Sequence, residues 1–400
     1  MRIIFLVLVV ALSSWGFEST QTLPAGINNI QIRHSQIDGL ALRYNPESSL
    51  VSQRETQSVE LNSESIRDFE PEFEEIENLL NDMTGYGLGS ELHLGYLDID
   101  PQPEIEYTAL VYARGITKKW TLGIGIPVIN YKNKMKVSHY GSNVAQISEL
   151  YRNRISPELD AGFDRLNIDG VEVLSNTLRE RGYKPLQSRD DSFIGDLQVV
   201  SMYGFDHSPR FKSQLRNTLV LPTGPEDDPD DLLDIDLFHQ SSFDTSWVSS
   251  YRIGFFEPFI AVGYNYFLPQ DMIRRVPESK SDRLPDQNSK RNVTRQRGSE
   301  GSWAFGASLH LGRLTLGAGL LEVNKSQDTY DGDGRVDLLA ADTEGRWKDA
   351  KVNVTYSTVQ SYLAGASFIP FQLTYNYSDL IEGVNIERRR THEIRLSLFF

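Results

Sequence analysis

The chain ends in HEIRLSLFF, His392 to Phe400. Counting back from Phe400, the side chains of Leu398, Leu396 and Ile394 are apolar, and Ser397, Arg395 and Glu393 fall between them. A period of two puts each set on its own face of a β-strand. A strand in an antiparallel sandwich shows the same alternation as a strand in the wall of a membrane barrel, whose outer face meets lipid and whose inner face is wet. Ending on an aromatic residue favours the barrel.

An apolar outer face, a polar inner face and a terminal Phe resemble the closing strand of bacterial outer-membrane barrels. That resemblance implies that the barrel-assembly machinery reads Ile394, Leu396, Leu398 and Phe400 as its signal. Bulk properties agree. The 400 residues carry a net charge of -15, which argues against a nucleic-acid partner. A hydrophobic content of 39% and a mean hydropathy of -0.38 are too polar for a bundle of membrane helices but suit a barrel with wet loops. Cysteine is absent, which removes disulfides, thiolate metal sites, a cysteine nucleophile and a lipid-attachment residue. At the amino terminus, Arg2, the apolar run Ile3 to Leu12 and then Ser13, Ser14 and Gly16 have the three-part build of a secretory signal peptide over residues 1–16.

Residues 17–89 mix two short candidate strands, Ile27 to Ser35 and Leu40 to Tyr44, with a helical pattern. From Asp68 to Met83, Phe69, Phe73, Ile76, Leu79, Leu80 and Met83 recur at spacings of three and four among acidic residues, and Pro71 fits the first turn. This helix is expected as a plug or gate in the barrel mouth, or as a periplasmic element under the rim. Residues 90–400 read as the barrel. Glu91 to Asp100 and Glu104 to Ala113 read as two strands, with Pro101 and Pro103 marking the turn between them. Trp120 to Val128 follows, with small inward residues Thr121, Gly123 and Gly125. Strand patterns then recur to the end, the last three at Lys351 to Phe368, Phe371 to Tyr377 and Glu387 to Phe400.

Connections alternate between short turns and long polar loops, the asymmetry of outer-membrane barrels. The fold expected is therefore all-β, a transmembrane antiparallel up-and-down barrel of about 12 strands, or about 14 if both N-terminal segments join. Helical insertions fall in the N-terminal region and in one long loop, 140–191. In that loop Ser156 before Pro157 makes a helix start, Asp169 with Glu172 resembles a capping box, and Gly182 suits a helix end. A loop of this length is expected to act as a lid or an inward constriction, or to be a plain exposed loop.

Four local strings, ARGITKKWTLGIGIPVI (Ala113 to Ile129), GDLQV (Gly195 to Val199), LPTG (Leu221 to Gly224) and the terminal Phe400, resemble the outer-membrane family named for meta-pathway phenol degradation. That family is related to the long-chain fatty acid and toluene channel proteins. The resemblance implies a barrel that admits small hydrophobic compounds. The insertion Tyr140 to Asp191 and the acidic stretch after Pro222 depart from the family pattern.

Candidate chemistry is sparse. Lys212, Gln214, Arg216, Asp244 and Arg252 are expected on the lumen face, where they either line a permeation path or form a structural salt-bridge ladder. Asp331, Asp333 and Asp337 fit the middle of an EF-hand-like calcium loop, although Thr329 and Ala340 occupy its end positions. Glu226 to Asp236 is dense in carboxylates and is a second calcium candidate. The basic loop Arg274 to Arg297 is expected to be a plain exposed loop, or else to pair with acidic loops or with anionic lipopolysaccharide. Ser308 and His310 share a strand face and could form a hydrolase pair, with no third group in view. No other cofactor is expected. The channel reading leads, a structural or adhesive surface barrel is the alternative, and outer-membrane lipid and a small hydrophobic solute are the expected partners.

Overall fold

The computed structural model describes residues 20, 22–54, 58–61, 78, 82, 93–234, 239–280, 282 and 284–400. The predicted signal peptide lies outside the described residues, as does the predicted helix 68–83 except for residues 78 and 82. Twelve antiparallel strands close into one barrel. They are β1 (Asn28–Asp38), β2 (Tyr96–Gly115), β3 (Trp120–Tyr140), β4 (Leu197–Asp206), β5 (Phe211–Leu221) and β6 (Ser242–Tyr251), then β7 (Phe256–Phe267), β8 (Glu300–Leu311), β9 (Leu314–Lys325), β10 (Gly345–Ser357), β11 (Phe371–Val384) and β12 (Arg390–Phe399). Each pairs with the next, and the terminal strand β12 pairs with β1. Asn28 N–H donates to Phe400 O at 2.8 Å and Phe400 N–H to Asn28 O at 3.0 Å, so the chain ends close the wall.

Two strand assignments change. Glu91–Asp100 and Glu104–Ala113 are not separate strands: β2 runs straight through Pro101 and Pro103. Pairing with β1 stops at Ile37 and Ile105, so both prolines sit where β2 is an edge on that side. A missing ladder N–H is tolerated there. The count returns to twelve because Asn28–Asp38 joins the wall. Leu42–Tyr44 does not join, and instead forms a small rim sheet with Leu50–Ser52 and Ile386–Glu387. The strand expected over Lys351–Phe368 is β10, which ends at Ser357 and gives way to a short helix, Val359–Leu363.

Alternation sets the two faces. Ile124, Ile126 and Val128 of β3, Ile260 and Val262 of β7, Val352 and Val354 of β10, and Ile394 and Leu398 of β12 all point out of the barrel and are exposed. Tyr264, Tyr266 and Trp303 lie toward the long-loop end of this belt and Tyr203, Trp247 and Tyr251 toward the short-turn end, the two aromatic girdles of a membrane barrel. Among the described residues no helix is long and apolar enough to cross a membrane. Inside, small residues let side chains meet across the wall. A Cβ at Gly306 would lie 2.7 Å from the Phe259 ring and 2.4 Å from Ala318 O.

Between β3 and β4 the chain folds into three helices, α1 (Val144–Tyr151), α2 (Pro157–Leu166) and α3 (Gly170–Glu180). Ser156 caps α2 by accepting from Leu159 N–H, and Asp169 caps α3 by accepting from Val171 N–H. Gly182 ends α3 with φ of 74°, a conformation that costs glycine little. A further strand, Arg189–Ile194, then pairs with the upper part of β3 before the chain enters β4.

Candidate functional site: the lumen wall and its two closures

The inner wall is divided by chemistry. On β2 and β3 the inward residues are Ile105, Tyr107, Ala109 and Val111, facing Pro127, Ile129 and Tyr131 across the ladder. Ile37, Leu40 and Phe193 pack onto them. Leu110 and Tyr112 face outward instead, with Glu104, Glu106 and Thr108 above them on the same face. On β12, β1 and β11 the wall is polar. Glu393 accepts from Asn376 Nδ2 at 2.7 Å, Tyr107 OH at 3.1 Å and Ser35 Oγ at 3.4 Å.

The long-loop end is closed by a lid with its own core. Val144, Leu159, Phe163, Leu166, Leu174 and Leu178 of α1 to α3 pack on Leu94, Leu97 and Ile99, and Met135 and Val137 carry this contact onto the inner face of β3. Ion pairs stitch the lid to the neighbouring loops. Arg275 Nη2 meets Asp230 Oδ1 at 2.6 Å and also donates to Gly182 O at 2.9 Å. Its Nη1 donates to Arg181 O at 2.7 Å and to Pro285 O at 2.9 Å, and its guanidinium lies 3.8 Å from the centre of the Tyr183 ring. Lys290 reaches Asp230 Oδ2 at 2.6 Å, Arg274 reaches Asp227 at 2.5 Å and Lys184 reaches Asp228 at 2.8 Å. Burial works against the charge on Asp230, but Lys290 and Arg275 outweigh it and hold the carboxyl below its ordinary range. Lys184 does the same for Asp228 against the same opposition. The acidic and basic loops thus neutralise each other.

At the short-turn end Thr20 and residues 22–24 reach the inner face of the wall at the mouth. Thr20 Oγ1 is 3.1 Å from Ser250 Oγ on β6, and Leu23 N–H donates to Thr121 Oγ1 at 2.8 Å on β3. Gly115 has room only for hydrogen, since a Cβ there would sit 2.0 Å from Pro24 O. Gly115→Val is therefore expected to push this stretch off the mouth and raise single-channel conductance in planar bilayers. An unchanged trace would sink the idea that residues 22–24 obstruct passage.

The predicted lumen residues separate. Lys212, Gln214 and Arg216 alternate with outward Phe211, Leu215 and Leu219, and Asp244 shares the phase of buried Ser242 and Ser246. Arg252 lies beyond β6 in the turn, exposed, donating Nε to Gly254 O at 3.2 Å; the strand ends one residue before it. Ser308 and His310 do not pair. The two His310 nitrogens are taken by Glu257 Oε2 at 3.0 Å and Thr315 Oγ1 at 3.1 Å. Among the described residues no three His, Asp or Glu side chains converge, and Asp337 is held by Arg335 at 3.0 Å.

Asp196 was missed. Its Oδ1 accepts from Gly224 N–H at 2.7 Å and His239 N–H at 3.1 Å, and its Oδ2 from Gln240 N–H at 3.3 Å. Thr223 Oγ1 accepts from Leu197 N–H at 2.9 Å. The strings GDLQV and LPTG, far apart in sequence, therefore meet in one knot that ties the acidic loop to the wall. Their shared singularity was the signal available.

No family model and no curated protein matches the sequence. Among solved structures, the COG4313 outer membrane channel from Pseudomonas putida F1 superposes with a TM-score of 0.52 at 11% identity, covering 96% of this chain and 98% of that one. A Pseudomonas aeruginosa FadL homologue (TM-score 0.33, 8% identity, 94% and 90% coverage) and the CymD monoaromatic hydrocarbon channel (0.32, 10%, 94% and 89%) align too loosely to carry weight. With its apolar belt, aromatic girdles and closed wall, this chain has the fold of an outer membrane channel, a twelve-stranded antiparallel barrel.

Proposed function

We propose that the protein is a non-enzymatic outer-membrane channel for small hydrophobic solutes. The observation that carries this reading is the apolar stripe on the inner face of β2 and β3, running from the lid core at Met135 and Val137 down through Tyr131, Ile129 and Val111. Water-filled barrels for polar solutes have polar interiors, and an apolar strip inside the wall lowers the barrier for a solute that water rejects. Outer-membrane lipid and lipopolysaccharide would surround the belt, and Ile394, Leu396, Leu398 and Phe400 would present the signal for barrel assembly.

The test uses vesicles whose outer leaflet contains lipopolysaccharide, with wild-type protein and a variant in which 142–187 is replaced by a short Gly-Ser linker. Faster uptake of toluene and octanol than in protein-free vesicles is expected, and faster still without the lid. No uptake in either form would favour a surface barrel that displays its loops.

A further inference from the structure

The short turns carry a charge opposite to that of the whole chain. Over the full sequence 55 Asp and Glu outnumber 40 Lys and Arg. Yet the connections after β2 (116–119), β4 (207–210), β6 (252–255), β8 (312–313) and β10 (358–370) contain no Asp or Glu at all. The first four are basic. Lys118, Lys119, Arg210, Arg252 and Arg313 are exposed and enter no ion pair among the described residues. Arg114, exposed in the outward phase of β2, stands beside them. The carboxylates nearest in sequence, Asp206 and Glu257, are engaged by Lys212 at 3.9 Å and His310 at 3.0 Å. Backbone hydrogen bonds join the turns into one rim. Gly204 N–H donates to Lys119 O at 2.7 Å, Arg252 N–H to Arg210 O at 2.8 Å, His310 N–H to Phe255 O at 2.7 Å and Ser357 N–H to Arg313 O at 2.9 Å.

The same rim is apolar where it is not basic. Phe255, Leu363 and Ile369 are more than half exposed and Phe368 wholly so. The 358–370 connection continues the lipid-facing belt, because it joins the cross-strand partners Tyr356 and Leu373, both exposed on the outer face. Arg313 Nη1 donates to Tyr356 OH at 3.2 Å and its Nε to Ser361 Oγ at 2.8 Å, which holds the guanidinium at the edge of that belt. Apolar side chains bounded by cations without carboxylate partners suit the boundary between acyl chains and phosphates.

We propose that the short-turn rim binds the headgroups of anionic glycerophospholipids in the leaflet it meets. Phosphate oxygens accept from the exposed lysines and arginines, and Phe255, Leu363, Phe368 and Ile369 lie among the upper acyl carbons. This surface is independent of which solute crosses the lumen.

Spin-labelled phosphatidylglycerol and phosphatidylcholine are compared by electron spin resonance for their association with the full chain in phosphatidylcholine vesicles. Wild type is set against a variant carrying Lys118→Gln, Lys119→Gln, Arg210→Gln, Arg252→Gln and Arg313→Gln. Heat-modifiable migration on gels verifies that each barrel is folded. Wild type is expected to hold phosphatidylglycerol about fivefold more strongly than phosphatidylcholine at low salt, a preference that fades in about 1 M salt. The Gln variant is expected to hold the two lipids equally. Changing the three arginines to Lys keeps the charge and should keep the preference. If the Gln variant fails to fold, Lys118→Gln with Lys119→Gln alone should lower the preference in part. Equal association of the two lipids with wild type, or an undiminished preference in the Gln variants, overturns the proposal. Wild type that shows no lipid preference but co-sediments with peptidoglycan would assign the rim to the cell wall instead. Because the chain lacks cysteine, Phe368→Cys accepts a single bimane label. Quenching by lipids spin-labelled near the headgroup supports the placement of this connection, and quenching only by iodide in the water overturns it.

Discussion

Asp328→Ala is expected to release the loops over the barrel mouth while the wall stays folded. The Asp328 side chain is fully buried, and those of Arg295 and Lys325 are 2% exposed. Its Oδ2 accepts from Arg295 Nε at 3.0 Å and Nη2 at 2.7 Å, and its Oδ1 from Lys325 Nζ at 2.5 Å and Gly298 N–H at 2.9 Å. Truncation leaves two cations in a site that excludes water. Removing one partner of a buried ion pair typically costs about 3–5 kcal/mol. The loss falls on the hairpin Gln270–Arg275 and Lys290–Gln296, which carries Arg274 and Arg275. Those two residues then lose their hold on Asp227 and Asp230. Hydrogen exchange should speed up over 270–299 and 222–234, with strands β1 to β12 unchanged and Asp328→Asn intermediate. Equal exchange in wild type and Asp328→Ala would show that Asp328 does not anchor the mouth. Burial opposes the charge on Asp328, but Arg295 and Lys325 hold its carboxyl below the ordinary range. A depressed carboxyl stabilises the fold above its ordinary pKa and loses that contribution as pH falls through the folded value. Strong acid should therefore mimic the mutation.

What could be read from the sequence follows from which interactions are periodic. In β12 the alternation of Ile394, Leu396 and Leu398 with Arg395 and Ser397 is local, and lipid outside with polar groups inside makes its sense unambiguous. In β2 the same alternation exists but its sense is inverted, because the inner wall there is apolar and the outer face above the belt bears Glu104 and Glu106. Period two identifies two faces and does not say which one faces inward. Pro101 and Pro103 misled for a related reason: a proline breaks a central strand but not an edge, and only the end of β1 at Asp38 makes β2 an edge at that height. The acidic and basic loops were both conspicuous as compositions. Their pairing joins residues such as Asp230 and Arg275 across separate connections, and no spacing rule reaches that far.

Glu387→Gln is expected to stabilise the rim sheet at neutral and alkaline pH and to leave it unchanged in acid. Glu387 is 3% exposed, between Ile386 and the basic run at Arg388, and it pairs across the sheet with Arg43. Burial pushes its carboxyl up to about 7, only partly opposed by Arg43. The folded form thus binds this proton more tightly than an unfolded rim, whose carboxyl titrates near 4.5. Stability from this group is full below the unfolded value and falls as pH rises from there to about 7, by something of order 3 kcal/mol. Asp228 and Asp230 act with the opposite sign, since their depressed carboxyls release the lid only on acidification. The rim sheet and the lid therefore weaken at opposite ends of the pH scale. Hydrogen exchange of 42–52 and 386–387, followed from pH 4.5 to 8.5 and corrected for intrinsic exchange, should show protection declining in wild type and flat in Glu387→Gln. Parallel profiles in the two proteins would place the pH dependence elsewhere. A decline confined to wild type would assign to a single buried carboxylate the tendency of the rim sheet to loosen as pH rises toward neutrality, while the lid still holds.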